Sequence, residues 1–372
     1  MQQLENMKVV LSGGGTGGHI YPAVAIANAI RLRNPNTSIL FVGAKGRMEM
    51  EKVPASGYPI RGILISGLQR RFTFYNIVVP FKVMSSLYNA YIILKEFQPD
   101  VVIGTGGYAS GPALSVASWL GIPTIIQEQN SFPGITNKIL AKKATKICVA
   151  YPDMEKYFPA SKIMLTGNPV RKDIETLSIS KATACKFFNL NPDKLTLLVI
   201  GGSLGAKTIN QGIYTGLGQL AAHNIQLIWQ TGKPFTLEAM KSIGGYVGKG
   251  MLTRPFISEM DRAYAAADIV VSRAGALAIS ELCATGKPSI LVPSPNVAED
   301  HQTKNALALT TRDAAILVSD KDAPEMLLTT ILNLADDISL QQKLSNNISR
   351  LAFHNAADQI ASLAFTLALS KK

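Results

Sequence analysis

The feature that most limits the fold is a run of five glycines in six residues, Gly13-Gly-Gly-Thr-Gly-Gly18, set just after the short apolar run Lys8-Val-Val-Leu11. A structural turn needs one or two glycines. Five let the backbone approach a ligand closely, with N–H groups and a helix start aimed at an anion. Strand-like and helix-like runs alternate after it. Pro22–Arg33 has helical spacing, and Ser38–Val42, Asp100–Ile103, Thr124–Ile126 and Lys146–Ala150 read as strands. A second series follows Asn168-Pro169-Val170: Leu195–Ile200 ends in glycines, then come Ile225–Gln230, Ile269–Ser272 and Ser289–Val292. The pattern predicts the α/β class, as two Rossmann-like, doubly wound domains in tandem. The chain of 372 residues is long enough for both. We place the first domain at 1–168 and the second at 169–349. The last helix, about Ser349–Leu369 in a tail of 350–372, has apolar residues on most sides and is expected to pack back on the first domain.

Charge is uneven. Residues 1–170 hold 17 basic and 8 acidic groups, whereas residues 171–372 hold 20 and 17. The first half should therefore face something anionic: a phosphate ligand, an acidic membrane or a nucleic acid. No helix-turn-helix, RNA-recognition or zinc pattern supports the last of these. Cys148, Cys185 and Cys283 lie far apart, with no metal spacing, and their odd number argues against a disulfide framework. No signal peptide is visible, and the apolar-rich stretch Asn76–Phe97 is too polar to span a bilayer but suited to lie on one.

Four local patterns have plainer or competing readings. Gly13-x-Gly15-x-x-Gly18 matches a dinucleotide fingerprint, but the strand at 38–42 runs into Gly43-Ala44-Lys45 with no acid to hold a ribose. Gly201-Gly-Ser203-Leu-Gly205 matches a nucleophile elbow, with His301 and His354 downstream. A phosphate held by Ser203 and neighbouring N–H groups fits better, because a hydrolase would leave the first domain's glycine loops without work. Asp320-Lys-Asp322 resembles a metal-holding DxD and reads equally as a solvated helix start. Of the four histidines, His223 and His354 sit in helical stretches without a motif. His19 follows the glycine loop and His301 lies in Glu299-Asp300-His301-Gln302, so both are candidates for chemistry.

Seven motifs then occur in order: Gly14-Gly15-Thr16-Gly17-Gly18-His19, Gly106-Gly107-Tyr108-x-Ser110-Gly111-Pro112, Glu128-Gln129-Asn130, Gly167-Asn168-Pro169-Val170-Arg171, Gly201-Gly202-Ser203-x-Gly205-Ala206, Ser272-Arg273-x-Gly275-Ala276-x-x-x-Ser280-Glu281 and Asp300-His301-Gln302-x-x-Asn305-Ala306. Together they resemble the MurG family of bacterial peptidoglycan glycosyltransferases. The resemblance runs from about Lys8 to Ala306. It implies a GT-B fold with the active site in a cleft between two domains, no catalytic metal and no cofactor. It implies transfer of N-acetylglucosamine from UDP-N-acetylglucosamine to the 4-hydroxyl of undecaprenyl-pyrophosphoryl-N-acetylmuramoyl-pentapeptide (lipid I), with inversion. Carried over residue by residue, it gives Ser203 and Arg171 the donor phosphates and Glu281 the ribose. Ile257 meets the uracil through its backbone. Ala276, Leu277, Ala278, Ile279 and Ser280 line the helix start under the nucleotide, and Gln302, with His301 or Asp300, reads the sugar. Thr16, Gly17, Gly18 and Asn130 reach the sugar or the acceptor, and Gly106, Gly107 and Tyr108 fall on the acceptor side. His19 is the candidate general base.

The loop Pro293-Ser-Pro-Asn-Val departs from many relatives, which carry an aromatic there, and His301 stands where some have Gln; a separate role for His301 stays open. Expected partners are the lipid acceptor, an anionic phospholipid surface at the cytoplasmic face of the plasma membrane and other cell-wall synthesis proteins, with no nucleic acid. Gly67-Leu-Gln-Arg-Arg-Phe72 with Phe74, Tyr75, Ile77, Val78, Val79 and Phe81 is the expected membrane-contacting segment. The rivals are a UDP-sugar epimerase of the same fold, which needs no acceptor, and a non-catalytic nucleotide-sugar binding module.

Overall fold

The computed structural model describes residues 6–65, 79–202, 204–297 and 300–370. The chain divides into two compact units, Met1–Arg171 with Asn355–Lys372, and Lys172–His354.

The first unit is built on seven parallel strands: β1 (Lys8–Gly13), β2 (Ser38–Ala44), β3 (Ile60–Ile63), β4 (Val101–Gly106), β5 (Thr124–Glu128), β6 (Lys146–Val149) and β7 (Ile163–Leu165), in the order β3-β2-β1-β4-β5-β6-β7. β1 lies at the centre, with Val9–Ser12 registered against Ile39–Val42 and Val101–Gly104. Its side chains alternate between two cores. Val9 and Leu11 pack with Ile20, Ile26 and Ile30 of helix Gly17–Arg33 and with Ile360 and Ala364 of helix Ala356–Ser370. Val10 packs on the other face with Ile93 and Leu94 of helix Val79–Phe97 and with Ala113 and Leu114 of helix Ser110–Trp119. Burial on both faces is why these strands read as continuous apolar runs.

The second unit repeats the plan with six parallel strands: β8 (Thr196–Ile200), β9 (Gln226–Gln230), β10 (Met251–Arg254), β11 (Ile269–Ser272), β12 (Ser289–Leu291) and β13 (Ile316–Leu317), in the order β10-β9-β8-β11-β12-β13. Both sheets reverse strand order beside their first strand, between β1 and β4 and between β8 and β11. These are the switch points at which open α/β sheets bind ligands, and the glycine loops follow those strands. The predicted fold class therefore stands. The strands that the sequence pattern does not reveal are β3, β7, β10 and β13; each is short and partly exposed, so its apolar pattern is broken.

The expected last helix starts too early. Ser349 ends the preceding helix Ile338–Ser349, and Asn355, at φ 60°, separates it from helix Ala356–Ser370. The later helix buries one stripe, Ala356, Ile360, Ala361, Ala364 and Ala368; the alanines let it lie close on helix 17–33. All three cysteines are buried and unpaired, and burial pushes the Cys148 and Cys283 thiols up to about 12, so they act as apolar packing groups.

Ile360 is fully buried at the centre of this seat. Ile360→Ala should lower stability by about 2–5 kcal/mol, the usual cost of a cavity of that size. Urea unfolding followed by circular dichroism measures it, and a loss under about 0.5 kcal/mol would place the helix outside the core.

Candidate functional site

The strand ends of the first unit are held by contacts that tolerate no side chain. Gly15, Gly106 and Gly107 have φ of 84°, 101° and 85°. A Cβ on Gly107 would lie 2.2 Å from the Gly14 carbonyl oxygen, and one on Gly106 would lie 2.8 Å from Cδ2 of His19. The two loops are joined by Gly14 N–H donating to the Gly106 carbonyl at 3.3 Å. Thr16 precedes the helix with extended backbone, and its hydroxyl lies 3.3 Å from His19 Nδ1 rather than capping the helix. His19 N and Ile20 N donate to the Thr16 carbonyl at 3.1 and 3.2 Å, whereas the Gly17 and Gly18 N–H groups come too early in the helix to have an intrahelical acceptor.

His19 is half-buried. Its Nδ1 lies 3.1 Å from the Gly14 carbonyl oxygen, an atom that only accepts. Nδ1 therefore carries the proton of the neutral ring, and the basic lone pair belongs to Nε2. The His19 carbonyl accepts from Thr105 Oγ1 at 2.7 Å, which ties the helix start to β4.

At the end of β5 the buried Glu128 carboxylate accepts from Asn130 N at 3.0 Å, Asn130 Nδ2 at 3.2 Å, Gly134 N at 3.1 Å and Asn137 Nδ2 at 2.8 Å. Burial raises its pKa and these four donors oppose the rise. Glu128 thus shapes the loop that presents Asn130. Buried amides back this region: Gln127 Nε2 donates to Asn168 Oδ1 at 2.9 Å and Asn168 Nδ2 to the Gln129 carbonyl at 3.1 Å. Arg171 follows on the segment after Gly167, itself at φ 81°, and is half-buried. Tyr108 is exposed beside Gly107.

In the second unit, Gly202 and Gly205 have φ of 79° and 78°, and a Cβ on Gly205 would lie 2.1 Å from the Thr231 carbonyl oxygen. Ser203 lies outside the described residues. Gln230, buried at the end of β9, joins two loops: Nε2 donates to the Gly202 carbonyl at 3.1 Å, and Oε1 accepts from Ile257 N at 2.9 Å. The Ile257 N–H is thus engaged within the unit.

Helix Ala276–Thr285 starts at Gly275, where an added Cβ would meet open space. It carries Ala276, Leu277, Ala278, Ile279, Ser280 and Glu281. Ala276 and Ile279 are buried, and Ser280 Oγ donates back to the Ala276 carbonyl at 3.0 Å. Tyr264 OH donates to Glu281 Oε2 at 2.9 Å and fixes the carboxylate.

Gln302 is in the first turn of helix His301–Thr310, and its Oε1 accepts from Ser294 N at 2.9 Å, so it also shapes the Pro293 loop. His301 is beside it, half-buried. Arg273 donates to the Val292 carbonyl at 3.0 Å and pairs with Asp320, and Asp322 accepts from Ser319 Oγ. The DxD-like pair is therefore anchored inside the unit. No group of three or more metal-ligating side chains occurs among the described residues.

The predicted residues thus gather at the carboxyl strand ends: Thr16, Gly17, Gly18, His19, Gly106, Gly107, Tyr108 and Asn130 in the first unit, Ile257, Ala276–Glu281, His301 and Gln302 in the second. Sequence reasoning gave no role to Glu49, Glu128, Gln230 or Tyr264. Of these, only Glu128 lay in a quoted motif; the others declare themselves through contacts distant in sequence.

The N-terminal domain model of glycosyltransferase family 28 matches residues 9–149, and its C-terminal domain model matches 196–360. The UDP-N-acetylglucosamine–N-acetylmuramyl-(pentapeptide) pyrophosphoryl-undecaprenol N-acetylglucosamine transferase of Parabacteroides distasonis is 53% identical over 96% of this chain and 97% of its own length. The enzyme of that name from Flavobacterium psychrophilum is 52% identical over 99% of this chain and 100% of its own. The crystal structure of Acinetobacter baumannii MurG superposes with a TM-score of 0.76 at 27% identity, covering 97% of this chain and 99% of that one. With both domain models matched and identity above one half along the whole chain, the protein belongs to glycosyltransferase family 28 and, within it, to the MurG family of GT-B enzymes.

Proposed function

We propose that the chain transfers N-acetylglucosamine from UDP-N-acetylglucosamine to the 4-hydroxyl of lipid I, with inversion and without a metal. The observation that carries the reading is 53% and 52% identity to transferases of that name, over 96% and 99% of this chain, which spans both units. A module that only bound the nucleotide sugar would need only the second unit.

Glu281, held by Tyr264, accepts from the ribose hydroxyls. The Ile257 carbonyl accepts from the uracil. The start of helix 276–285, the Gly201–Gly205 loop with Ser203, and Arg171 stabilise the departing diphosphate, as helix N-termini and fixed donors do for anions. Gln302 and Asn130 contact the sugar. His19 Nε2 takes the proton of the acceptor hydroxyl while that oxygen bonds to the anomeric carbon and the carbon–phosphate oxygen bond breaks. The transition state has oxocarbenium character and needs no enzyme nucleophile.

The lipid acceptor requires the enzyme to work at a bilayer. Helix 79–97 exposes Met84, Tyr88 and Tyr91 at helical spacing. The helices beside it on the same sheet face expose Trp119, Ile135 and Ile139 among Lys138, Lys142 and Lys143. This apolar and basic surface suits an anionic membrane at the cytoplasmic face. The expected contact segment at 67–78 lies outside the described residues, as do the side chains of 79–81. No helix among the described residues is long and apolar enough to cross a membrane.

The direct test incubates radiolabelled UDP-N-acetylglucosamine with a short-chain lipid I analogue, with and without EDTA. Transfer should persist in EDTA. No transfer to the analogue would overturn the assignment, and release of free sugar from donor alone would favour the epimerase. In the same assay His19→Ala should slow turnover about 10²–10⁴-fold with UDP affinity by calorimetry little changed.

Glu281→Ala should weaken UDP binding about 10- to 100-fold, the worth of a charged hydrogen bond. The loss should be much smaller for 2′,3′-dideoxy-UDP, and an equal loss for both ligands would remove the ribose role.

Met84→Glu with Tyr88→Glu should reduce sedimentation with anionic vesicles by about tenfold or more while transfer to a water-soluble acceptor stays normal. Unchanged sedimentation would move the membrane contact elsewhere.

A further inference from the structure

Glu49 is fully buried on helix Glu49–Ala55, 34 residues from the glycine loop. Its Oε2 accepts from Gly15 N at 2.9 Å, and its Oε1 accepts from Ala44 N at 3.0 Å. Two glycines admit it. A Cβ on Gly14 would lie 2.1 Å from Glu49 Oε1, and one on Gly43 would lie 2.7 Å from Glu49 Cγ.

Gly14 C=O and Gly15 N–H belong to one peptide group. On one side its N–H donates to the Glu49 carboxylate; on the other its oxygen accepts from His19 Nδ1 at 3.1 Å. Hydrogen bonds in such a chain polarise one another: a carboxylate drawing on the N–H makes the carbonyl oxygen more negative and a stronger acceptor. We propose that Glu49 is a positioning residue for catalysis, acting through the Gly14–Gly15 peptide to hold His19 with the proton on Nδ1 and to raise the basicity of Nε2. The peptide takes the place of a direct contact between an acid and a catalytic imidazole, and as imidazolium forms the carboxylate stabilises it across that bridge. No proton crosses the peptide, and no bond in the bridge breaks. The proposal rests on the assignment of His19 as base.

Other titratable or charged groups on the elements around His19 are Tyr21, Arg31 and Arg33 on its own helix, Lys8 on β1, Lys45 and Arg47 in the turn before Glu49, Glu51 and Lys52 on the Glu49 helix, Tyr108 after β4, Glu128 at the end of β5 and Asp358 on the C-terminal helix. Among the described contacts, only Glu49 shares a peptide group with the imidazole.

The test is the pH profile of kcat with the short-chain acceptor for wild type, Glu49→Gln, His19→Ala and the double variant. Glu49→Gln keeps the shape and one acceptor but removes the charge. The wild-type acidic limb reports His19 losing its proton. Without the carboxylate the imidazolium is less favoured, so this limb should move to lower pH by about half a unit to one unit, and the plateau should fall roughly tenfold. KM for UDP-N-acetylglucosamine should stay unchanged. In the His19→Ala background Glu49→Gln should cost nothing further. An unmoved limb, or an equal loss in both backgrounds, would make Glu49 merely structural. Normal turnover of His19→Ala would instead refute the base assignment beneath the proposal. If Glu49→Gln does not fold, the wild type decides: the Gly15 amide proton shift should titrate with the His19 midpoint, and a Gly15 amide indifferent to that titration would sever the relay.

Discussion

One peptide group, Gly14–Gly15, sits between a buried carboxylate and an imidazole, and much of the first unit's strand-end geometry follows from keeping it there. Glycine is required at 14 and 43 because Glu49 occupies the volume a Cβ would need. It is required at 107 because the Gly14 carbonyl lies against that backbone. Thr105 then fixes the His19 carbonyl from below. The glycine-rich loop is thus held by close contacts as well as built for approach to a ligand.

The second unit solves a similar problem with a neutral group. Gln230 is buried behind the Gly201–Gly205 loop and bonds to Gly202 and to the Ile257 backbone. On the reading that this loop receives a diphosphate, the difference has an electrostatic reason. A buried carboxylate there would repel the leaving group in a low-dielectric setting, whereas an amide orders two loops without charge. On the proposal that His19 is the base, negative charge under the first unit's loop is useful, because the imidazole would become cationic during the reaction. The two units thus back their glycine loops with different chemistry, a carboxylate from the helix after β2 in the first and an amide at the end of β9 in the second.

The fold class was legible because the central strands are buried on both faces and so read as unbroken apolar runs between glycine loops. The edge strands β3, β7, β10 and β13 were not, since partial exposure mixes their composition. The place of His19 at a strand end was legible, because it follows the glycine loop. Glu49 was not: a search for an acid closing β2 stops at Ala44-Lys45, while the carboxylate that serves the loop comes a turn later, on a helix, and points inward. Gln230 and Tyr264 were hidden for the same reason, since their partners lie 27 or 28 and 17 residues away in sequence. Tertiary contacts between polar side chains and distant backbone leave no periodic trace.

The contact of Nδ1 with the Gly14 carbonyl fixes which nitrogen of His19 is basic. Nitrogen-15 NMR of histidine-labelled protein above the His19 midpoint, with the signals assigned by loss in His19→Ala, reads that tautomer directly. The Gly14 contact requires a neutral ring protonated at Nδ1, with the Nε2 resonance in the position of an unprotonated ring nitrogen. A ring protonated at Nε2, with its lone pair on Nδ1, would contradict both the Gly14 contact and the base role proposed for Nε2.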